Sequence, residues 1–294
     1  MVMALSRRMQ FAGKGRLLDL VNLGPGNKTL VPKGVSTVNC LHGIKIETDR
    51  NRDVMFRELY VNGFYQGDVL IALHNLLEPG DVFWDIGANY GFMSIYAARV
   101  FEGKVQIVAF EPNPVVLNVL RRNVELNRCS NLRIEKICLS DRIGEVTFYT
   151  SENQSWNATM IEDFARAHGE NVAVQVASST IDESVKVLPP PSVIKLDVEG
   201  AEHLVIKGGS RFLRDASVPI IAEYNVQALQ DVGLDREDYL GLFRDLGYEI
   251  YQFRRPLWGR HRWSDLSRVA KNDALPTLCN IVLLKDAPGP EKQS

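Results

Sequence analysis

Short apolar runs of strand length alternate along this chain with amphipathic stretches of helical period. Seven such runs predict strands, over residues 82–86, 105–110, 132–137, 193–198, 218–223, 248–253 and 278–284. Two shorter runs with period-two alternation, over residues 145–150 and 172–176, predict added strands.

Helices are predicted between most of these runs. The apolar stripe of Val69, Leu70, Leu73, Leu76 and Leu77 predicts a helix from residue 68 that ends before a Pro-Gly pair. Further helices are predicted after residue 91, from the Asn-Pro start signal at 113–114 to residue 127, and over 237–246. Strands joined by crossover helices pair in parallel, whereas the last two strands lack a helix between them and are expected to be antiparallel.

Three parts of the chain are distinguished by this pattern. Residues 1–66 are expected to form an N-terminal extension with a helix and a hairpin, residues 67–285 the main α/β domain, and residues 286–294 a disordered tail. Residues 151–170 are polar and irregular, which is typical either of a mobile loop near a site or of a plain surface excursion.

Composition narrows the class of protein only a little. The 294 residues are 45% hydrophobic and 24% charged, enough for one large α/β domain or two, and the net charge of -2 gives no reason to expect a nucleic-acid partner. No apolar run approaches 18 residues, so no transmembrane segment and a cytoplasmic location are expected. Four cysteines without a C-x-x-C pair argue against a zinc site.

The turn after the first core strand indicates a nucleoside cofactor. Glycines stand at Gly87 and Gly91, which does not match the G-x-G-x-x-G turn that holds a pyrophosphate, and Glu111 ends the next strand where it can hold a ribose. Asp85 would repel a diphosphate and attract the amino group of a methionyl moiety. These features predict S-adenosylmethionine; the alternative is that Asp85 caps the next helix and the glycines only turn the chain.

A second candidate site lies in and after the strand over 193–198. Lys195 and Asp197 share one face of this strand, at the carboxyl end where open α/β sheets bind ligands, and Glu199 follows. Asp197 or Glu199 could act as general base for a hydroxyl, with Lys195 tuning the carboxylate; the alternative is a structural ion pair. Asp197, Glu223 and Asn225 could bind Mg²⁺, but their spacing is no specific metal signature, so no metal is predicted.

Five sequence blocks in this order resemble the FkbM-type family of S-adenosylmethionine-dependent methyltransferases, over about residues 68–225. The blocks are DIGANYG at 85–91, FEPN at 110–113, LSD at 139–141, TID at 180–182 and IKLDVEGAE at 194–202. The resemblance implies a Rossmann-like class I methyltransferase whose seven-stranded, mostly parallel sheet has its last strand antiparallel and helices on both faces. It also implies O-methylation of a hydroxyl on a sugar, glycan or secondary metabolite, and makes residues 67–285 the catalytic domain.

The same resemblance assigns roles to individual residues. Around the methionyl part it places Asp85, Gly87 and Asn89, on the ribose Glu111, and near the adenine Ser140 and Asp141. The full set of predicted cofactor-binding residues is Asp85, Gly87, Ala88, Asn89, Gly91, Glu111, Pro112, Asn113, Ser140 and Asp141. The predicted catalytic residues are Lys195, Asp197 and Glu199.

Two other functions use some of the same residues. A nicotinamide-dependent oxidoreductase would share the ribose carboxylate, but this chain lacks the pyrophosphate-binding turn of that class of enzyme. A non-catalytic module would have kept the fold as a scaffold. A basic and aromatic stretch, residues 254–263, is a candidate for binding a sugar face, an anionic group or single-stranded RNA, or else a solvated loop with its tryptophans packed on the domain. Oligomeric state is not predicted.

Overall fold

The computed structural model describes residues 34–49, 55–150, 158–167, 172–254, 262–271 and 273–289. Its centre is an eight-stranded sheet. In chain order the strands are β3 (Val82–Ile86), β4 (Gln106–Phe110), β5 (Leu132–Glu135), β9 (Val193–Leu196), β10 (Ile220–Asn225), β11 (Glu249–Phe253), β12 (Leu266–Arg268) and β13 (Leu278–Leu284).

The spatial order across this sheet is β12-β11-β13-β10-β9-β3-β4-β5. The five strands from β5 to β10 are parallel, and β13 lies antiparallel between β10 and β11. The predicted fold class is confirmed, including the antiparallel last strand. The count of seven is exceeded by β12, a three-residue edge strand that is too short to show an alternating pattern in the sequence.

Helices cover both faces of the sheet. They are α1 (Met55–Asn62), α2 (Gly67–Leu76), α3 (Phe92–Val100), α4 (Pro114–Leu126), α5 (Glu162–Ala167), α6 (Ile181–Ser184), α7 (Glu202–Gly208), α8 (Ser210–Asp215), α9 (Val226–Asp231) and α10 (Arg236–Arg244). Side chains alternate along each strand, so Phe83 packs in the apolar cluster with α2 and α3, while Trp84 packs in the cluster with α7 and α10. The sheet is therefore buried on both faces, as a parallel sheet requires.

Part of the predicted N-terminal extension is described. Strands β1 (Val35–Asn39) and β2 (Lys45–Asp49) form an antiparallel hairpin, and α1 follows. Ile44 and Ile46 are fully buried in the same apolar cluster as α2 and α3, so the hairpin shares its core with the sheet. Residues 1–33 and 50–54 of that extension, and residues 290–294 of the expected tail, lie outside the described residues.

A small three-stranded sheet is inserted between β5 and β9. Its strands are β6 (Cys138–Leu139), β7 (Gly144–Thr150) and β8 (Val172–Ser179), paired in the order β6-β8-β7. The expectation that residues 151–170 are irregular is wrong for α5. Phe164 and Ala165 are buried, and this packing stabilises a short helix that the polar sequence does not predict. Residues 151–157 and 168–170 lie outside the described residues.

Within the described ranges, no helix combines the length and apolar character needed to cross a membrane.

Candidate active site

The turn over residues 87–91 leads from β3 into α3 and depends on left-handed backbone. Gly87, Asn89 and Gly91 have φ of 83°, 50° and 84°. The amides of Gly87 and Ala88 both donate to the carbonyl oxygen of Phe110 at 3.0 Å, which ties the turn to the end of β4. A Cβ at Gly87 would lie 1.8 Å from the carbonyl oxygen of Asp197, so only glycine lets the turn approach the end of β9 this closely.

Glu111 is held from both sides by backbone amides. Its Oε2 accepts a hydrogen bond from the Asn89 amide and its Oε1 accepts one from the Asn113 amide, each at 2.8 Å. The side chain of Asn113 caps α4 by accepting from the Val115 amide at 2.9 Å. Burial raises the pKa of Glu111 to about 7, against the lowering effect of the two amides. Each carboxylate oxygen keeps a lone pair for a hydroxyl donor.

Asp85 is fully buried beneath the turn. Its Oδ2 accepts from the Ser94 hydroxyl at 2.6 Å, and its Oδ1 lies 3.8 Å from the Lys195 ammonium. Burial raises the pKa of Asp85, opposed by Lys195 and by the Ser94 hydrogen bond. Asp85 is covered by its neighbours, and Lys195, which it faces, lines the cleft.

Lys195 links the two predicted parts of the site. It stands opposite Asp85 in the parallel register of β3 and β9, and its Nζ donates to Asp197 Oδ2 at 3.0 Å. Burial alone would lower the pKa of Lys195, but attraction to Asp197 and Asp85 outweighs it and the pKa is raised. Lys195 therefore stays an ammonium ion and does not serve as a base.

Glu199 lies at the end of the segment that follows β9. Its backbone is left-handed, with φ of 52°, and Gly200 continues in the same region with φ of 89°. The Thr159 hydroxyl donates to the Glu199 carbonyl oxygen at 2.8 Å, which ties this turn to the small sheet. Burial and the negative charges of Glu223 and Asp197 raise the pKa of Glu199 well above its usual range. Glu199 is thus more basic than an ordinary glutamate side chain.

A cleft of about 970 Å³, open mouth included, lies between the turn and the end of β9. Eight of the predicted site residues line it: Gly87, Ala88, Asn89, Glu111, Pro112, Lys195, Asp197 and Glu199. The other five stand behind or beside its wall: Asp85, Gly91, Asn113, Ser140 and Asp141. The Ser140 hydroxyl bonds Asp141 at 3.1 Å, and Asp141 pairs with Arg142 and borders a second, open cleft.

The structure adds lining residues that the sequence blocks do not include. They are led by Tyr65 and Gln66 before α2, Met93 on α3, Cys138 in β6, and Met160 before α5. Burial and the charges of Asp197, Glu223 and Glu199 raise the pKa of Tyr65, so its phenol stays neutral beside these carboxylates. The one local signal was the polar Tyr65-Gln66 pair directly before a predicted helix, without any spacing that relates it to the turn.

The basic and aromatic stretch over 254–263 is described only at its ends. Trp263 is 5% exposed, packs against Phe253 and donates its indole Nε1–H to the Gly289 carbonyl oxygen at 2.8 Å. The hypothesis that both tryptophans stack on a sugar is wrong for Trp263, because its ring is in the core. Residues 255–261 lie outside the described residues.

Unsatisfied polar groups in the cleft wall fit the predicted cofactor. Asn89 Oδ1 and Gln66 Oε1 are buried without a hydrogen-bond partner among the described residues, and both belong to residues with left-handed backbone. They can accept from an ammonium or hydroxyl group, while Glu111 can accept from ribose hydroxyls. The lining combines these acceptors with apolar side chains such as Met93 and Leu139, as an amino acid joined to a nucleoside requires.

Comparison with known proteins decides the family. The family model described as "Methyltransferase FkbM domain" matches residues 85–250, more than half of the chain. The chain belongs to the FkbM methyltransferase domain family. This FkbM-domain protein is a methyltransferase and S-adenosylmethionine is its cofactor, as the sequence predicted.

Individual relatives of the FkbM-domain chain are distant. Hexuronic acid methyltransferase AglP of Haloferax volcanii is 27% identical over 190 residues, which cover 64% of this chain and 72% of AglP. The 31-O-demethyl-FK506 methyltransferase FkbM of Streptomyces tacrolimicus is 25% identical over 236 residues, covering 69% and 84%. Among solved structures, M. jannaschii TYW2 in complex with AdoMet is 13% identical with a TM-score of 0.45, covering 86% of this chain and 85% of that chain.

Asn225, one of the oxygen ligands considered for Mg²⁺, has another role. Asn225 Oδ1 accepts from the Gln227 amide at 3.1 Å and the Ala228 amide at 3.3 Å, which caps α9. In the described part of this FkbM-domain chain, no group of three or more His, Cys, Asp or Glu side chains is placed to hold a metal ion.

Proposed function

We propose that this protein transfers the methyl group of S-adenosylmethionine to a hydroxyl of a sugar, glycan or secondary metabolite. The observation that carries the proposal is the set of Lys195, Asp197 and Glu199 at the carboxyl end of β9, in the same cleft as the turn over 87–91. Ligands of open α/β sheets bind at this edge, so the two sets of residues face one bound reactant pair.

The cofactor-binding half consists of the turn and Glu111. When bound, S-adenosylmethionine supplies an electrophilic methyl group on a positively charged sulfur. Glu111 would accept hydrogen bonds from the ribose hydroxyls, and Asn89 Oδ1 would accept one from the amino group. Asp85 and Lys195 would support this cofactor-binding half from beneath, since neither needs to leave its present partners.

The residues at the end of β9 would remove the proton of the acceptor hydroxyl. Asp197 is engaged by Lys195, whereas Glu199 has a raised pKa and lines the cleft, so Glu199 is our proposed general base. Lys195 would hold the Asp197 carboxylate in its orientation beside the cleft. Gln66 and Tyr65, which also line the cleft, would orient the acceptor.

The charge of the cleft favours an acceptor without negative charge near the reacting oxygen. Of the described lining residues, only Lys195 is cationic, and it already pairs with Asp197. Glu111, Asp197 and Glu199 also line the cleft, so a carboxylate on the acceptor would lie beside acidic groups and find no unpaired cation among the described lining residues. The names of the two relatives differ in the acceptor. AglP is named as a methyltransferase of a hexuronic acid, which carries a carboxylate, and FkbM as one of 31-O-demethyl-FK506.

Three matched acceptors test the proposal: methyl glucoside, methyl glucosaminide and methyl glucuronide, which differ in charge on one ring. Each is incubated with the protein and S-adenosylmethionine labelled with ¹³C in the methyl group, and the product is examined by NMR. We expect the label on oxygen, with the neutral sugar preferred at least about tenfold over the glucuronide, because the described lining residues offer a carboxylate no unpaired cation.

Label on the amino nitrogen of the glucosaminide, or preference for the glucuronide, would contradict the proposal. Transfer to none of the three sugars would remove the sugar from the proposed acceptors.

A further inference from the structure

Two asparagines on α4 hold the N-terminal hairpin by its backbone. Asn127 accepts from the Lys45 amide at 2.9 Å and donates to the Lys45 carbonyl oxygen at 2.6 Å. Asn123 accepts from the Glu47 amide at 2.7 Å and donates to the Glu47 carbonyl oxygen at 3.1 Å. Each side-chain amide therefore satisfies both polar groups of one β2 residue, as a neighbouring strand would.

The spacing explains why these two positions can do this. Residues four apart rise about 6.0 Å along a helix, and residues two apart rise about 6.7 Å along a strand. Asn123 and Asn127 thus follow Glu47 and Lys45 along the free edge of β2, whose other edge pairs with β1. Helix α4 takes the place of a third strand beside the hairpin.

Asn123 makes one contact that Asn127 does not. Its Nδ2 also donates to the Tyr90 carbonyl oxygen at 2.9 Å, in the middle of the cofactor-binding turn. The matching extra bond of Asn127 goes at 2.7 Å to the Asn123 carbonyl oxygen, inside α4. Both side chains are buried, and Asn123 is fully so.

The turn needs such an anchor because its conformation is costly. Tyr90 stands between Asn89 and Gly91, both left-handed, and a non-glycine residue such as Asn89 is strained in that region. The Phe110 carbonyl oxygen and the Glu111 carboxylate hold the first half of the turn, over residues 87–89. The bond from Asn123 holds the second half, together with the Gly91 amide, which donates to the Ala88 carbonyl oxygen at 2.8 Å.

We propose that Asn123 is a positioning residue that keeps the turn in its cofactor-binding conformation and couples it to the hairpin. Asn123 does not line the cleft, so it acts on the cofactor through the Tyr90 carbonyl. Because coupling between two sites is reciprocal, cofactor binding also tightens the docking of the hairpin. The proposal depends on the cofactor and not on the identity of the acceptor.

Asn123→Ala and Asn127→Ala form a matched pair for the test. Each variant removes three hydrogen bonds from the same helix, and both lose one β2 residue's partners, but only Asn123→Ala removes a bond to the Tyr90 carbonyl oxygen. By calorimetry with S-adenosylmethionine, we expect Asn123→Ala to weaken binding about tenfold and Asn127→Ala less than about threefold, with similar losses of Tm. Equal weakening by both variants, or less than about threefold for Asn123→Ala, would overturn the proposal.

Hydrogen exchange on the unmodified protein provides a test that does not depend on the folding of a variant. The Glu47 amide donates to Asn123, so we expect S-adenosylmethionine to slow its exchange, while the amide of Gly144, a glycine outside the hairpin and the cleft, keeps its rate. An unchanged exchange rate at Glu47 upon cofactor binding would overturn the coupling.

Discussion

At the scale of single residues, the cofactor site depends on carboxylates whose ionisation the fold controls. Glu111 is 5% exposed and receives two backbone amides, yet burial raises its pKa to about 7. Glu202 accepts from the Val198 amide, and burial likewise raises the pKa of Glu202 to about 7. Both carboxyl groups are therefore expected to ionise near neutral pH.

We expect the affinity for S-adenosylmethionine to rise with pH, because in the proposed complex the ribose hydroxyls donate to ionised Glu111. With a pKa of about 7, the ionised fraction of Glu111 grows roughly eightfold between pH 6 and 7.5. Calorimetry at several pH values should follow this rise in the unmodified protein and in Glu202→Gln. Glu111→Gln should bind weakly with no such rise, and a rise of equal size in Glu111→Gln would contradict the assignment.

The same shift affects stability with the opposite sign. The pKa of Glu111 in the folded state lies above its ordinary value of 4.5, so the folded state binds more protons between the two values. Stability from this group is present below about pH 4.5 and is lost as pH rises towards 7. Urea unfolding should show the loss in the unmodified protein and a smaller one in Glu111→Gln.

At the scale of elements, the site exists because the ends of β3 and β9 approach each other closely. The Asp197 amide donates to the Ile86 carbonyl oxygen at 3.1 Å, and the Gly87 Cα faces the Asp197 carbonyl. The cofactor turn and the catalytic segment are thus built against each other, and a change in one displaces the other.

Gly87→Ala should expose this dependence, with Gly103→Ala as its control. Both glycines have positive φ, 83° and 77°, but a Cβ at Gly103 meets no atom within 4 Å. Gly103→Ala should lower Tm by about 2–4 °C through backbone strain alone, with cofactor binding retained. Gly87→Ala should lower Tm by at least about twice as much and weaken cofactor binding, because the Asp197 carbonyl must move. Equal effects of the two variants on Tm and binding would contradict it.

Sequence patterns could predict the elements that repeat a simple rule. The seven long strands, the turn at 87–91 and the carboxylate at Glu111 follow from apolar runs, glycines and their order. Contacts made across the fold leave no such pattern: Tyr65 reaches the cleft only because α2 packs beside the sheet, and Trp263 looks the same in sequence whether exposed or buried. Ser140 and Asp141 illustrate a third reason, since β6 brings Leu139 into the cleft wall and the next residues turn away.

At the scale of the whole molecule, the parallel sheet assembles two functions at one edge. The turn after β3 and Glu111 after β4 are the proposed binding site of the cofactor, and the segment after β9 is that of the proposed acceptor. The small sheet closes one side through the bond from Thr159 to Glu199, and the hairpin supports the other through α4. Loss of a cofactor residue should therefore reduce binding, whereas loss of the base should reduce the rate alone.

The rate of a single turnover by Glu199→Gln, at saturating S-adenosylmethionine and with the best of the three sugars, tests this division most directly. Glu102→Gln is the control, because Glu102 has the same left-handed backbone, φ of 51°, and lies exposed outside the cleft. We expect Glu199→Gln to transfer the methyl group on the order of 100-fold more slowly, with cofactor affinity within about twofold of the unmodified protein. A rate equal to that of Glu102→Gln would contradict the role of Glu199 as the base.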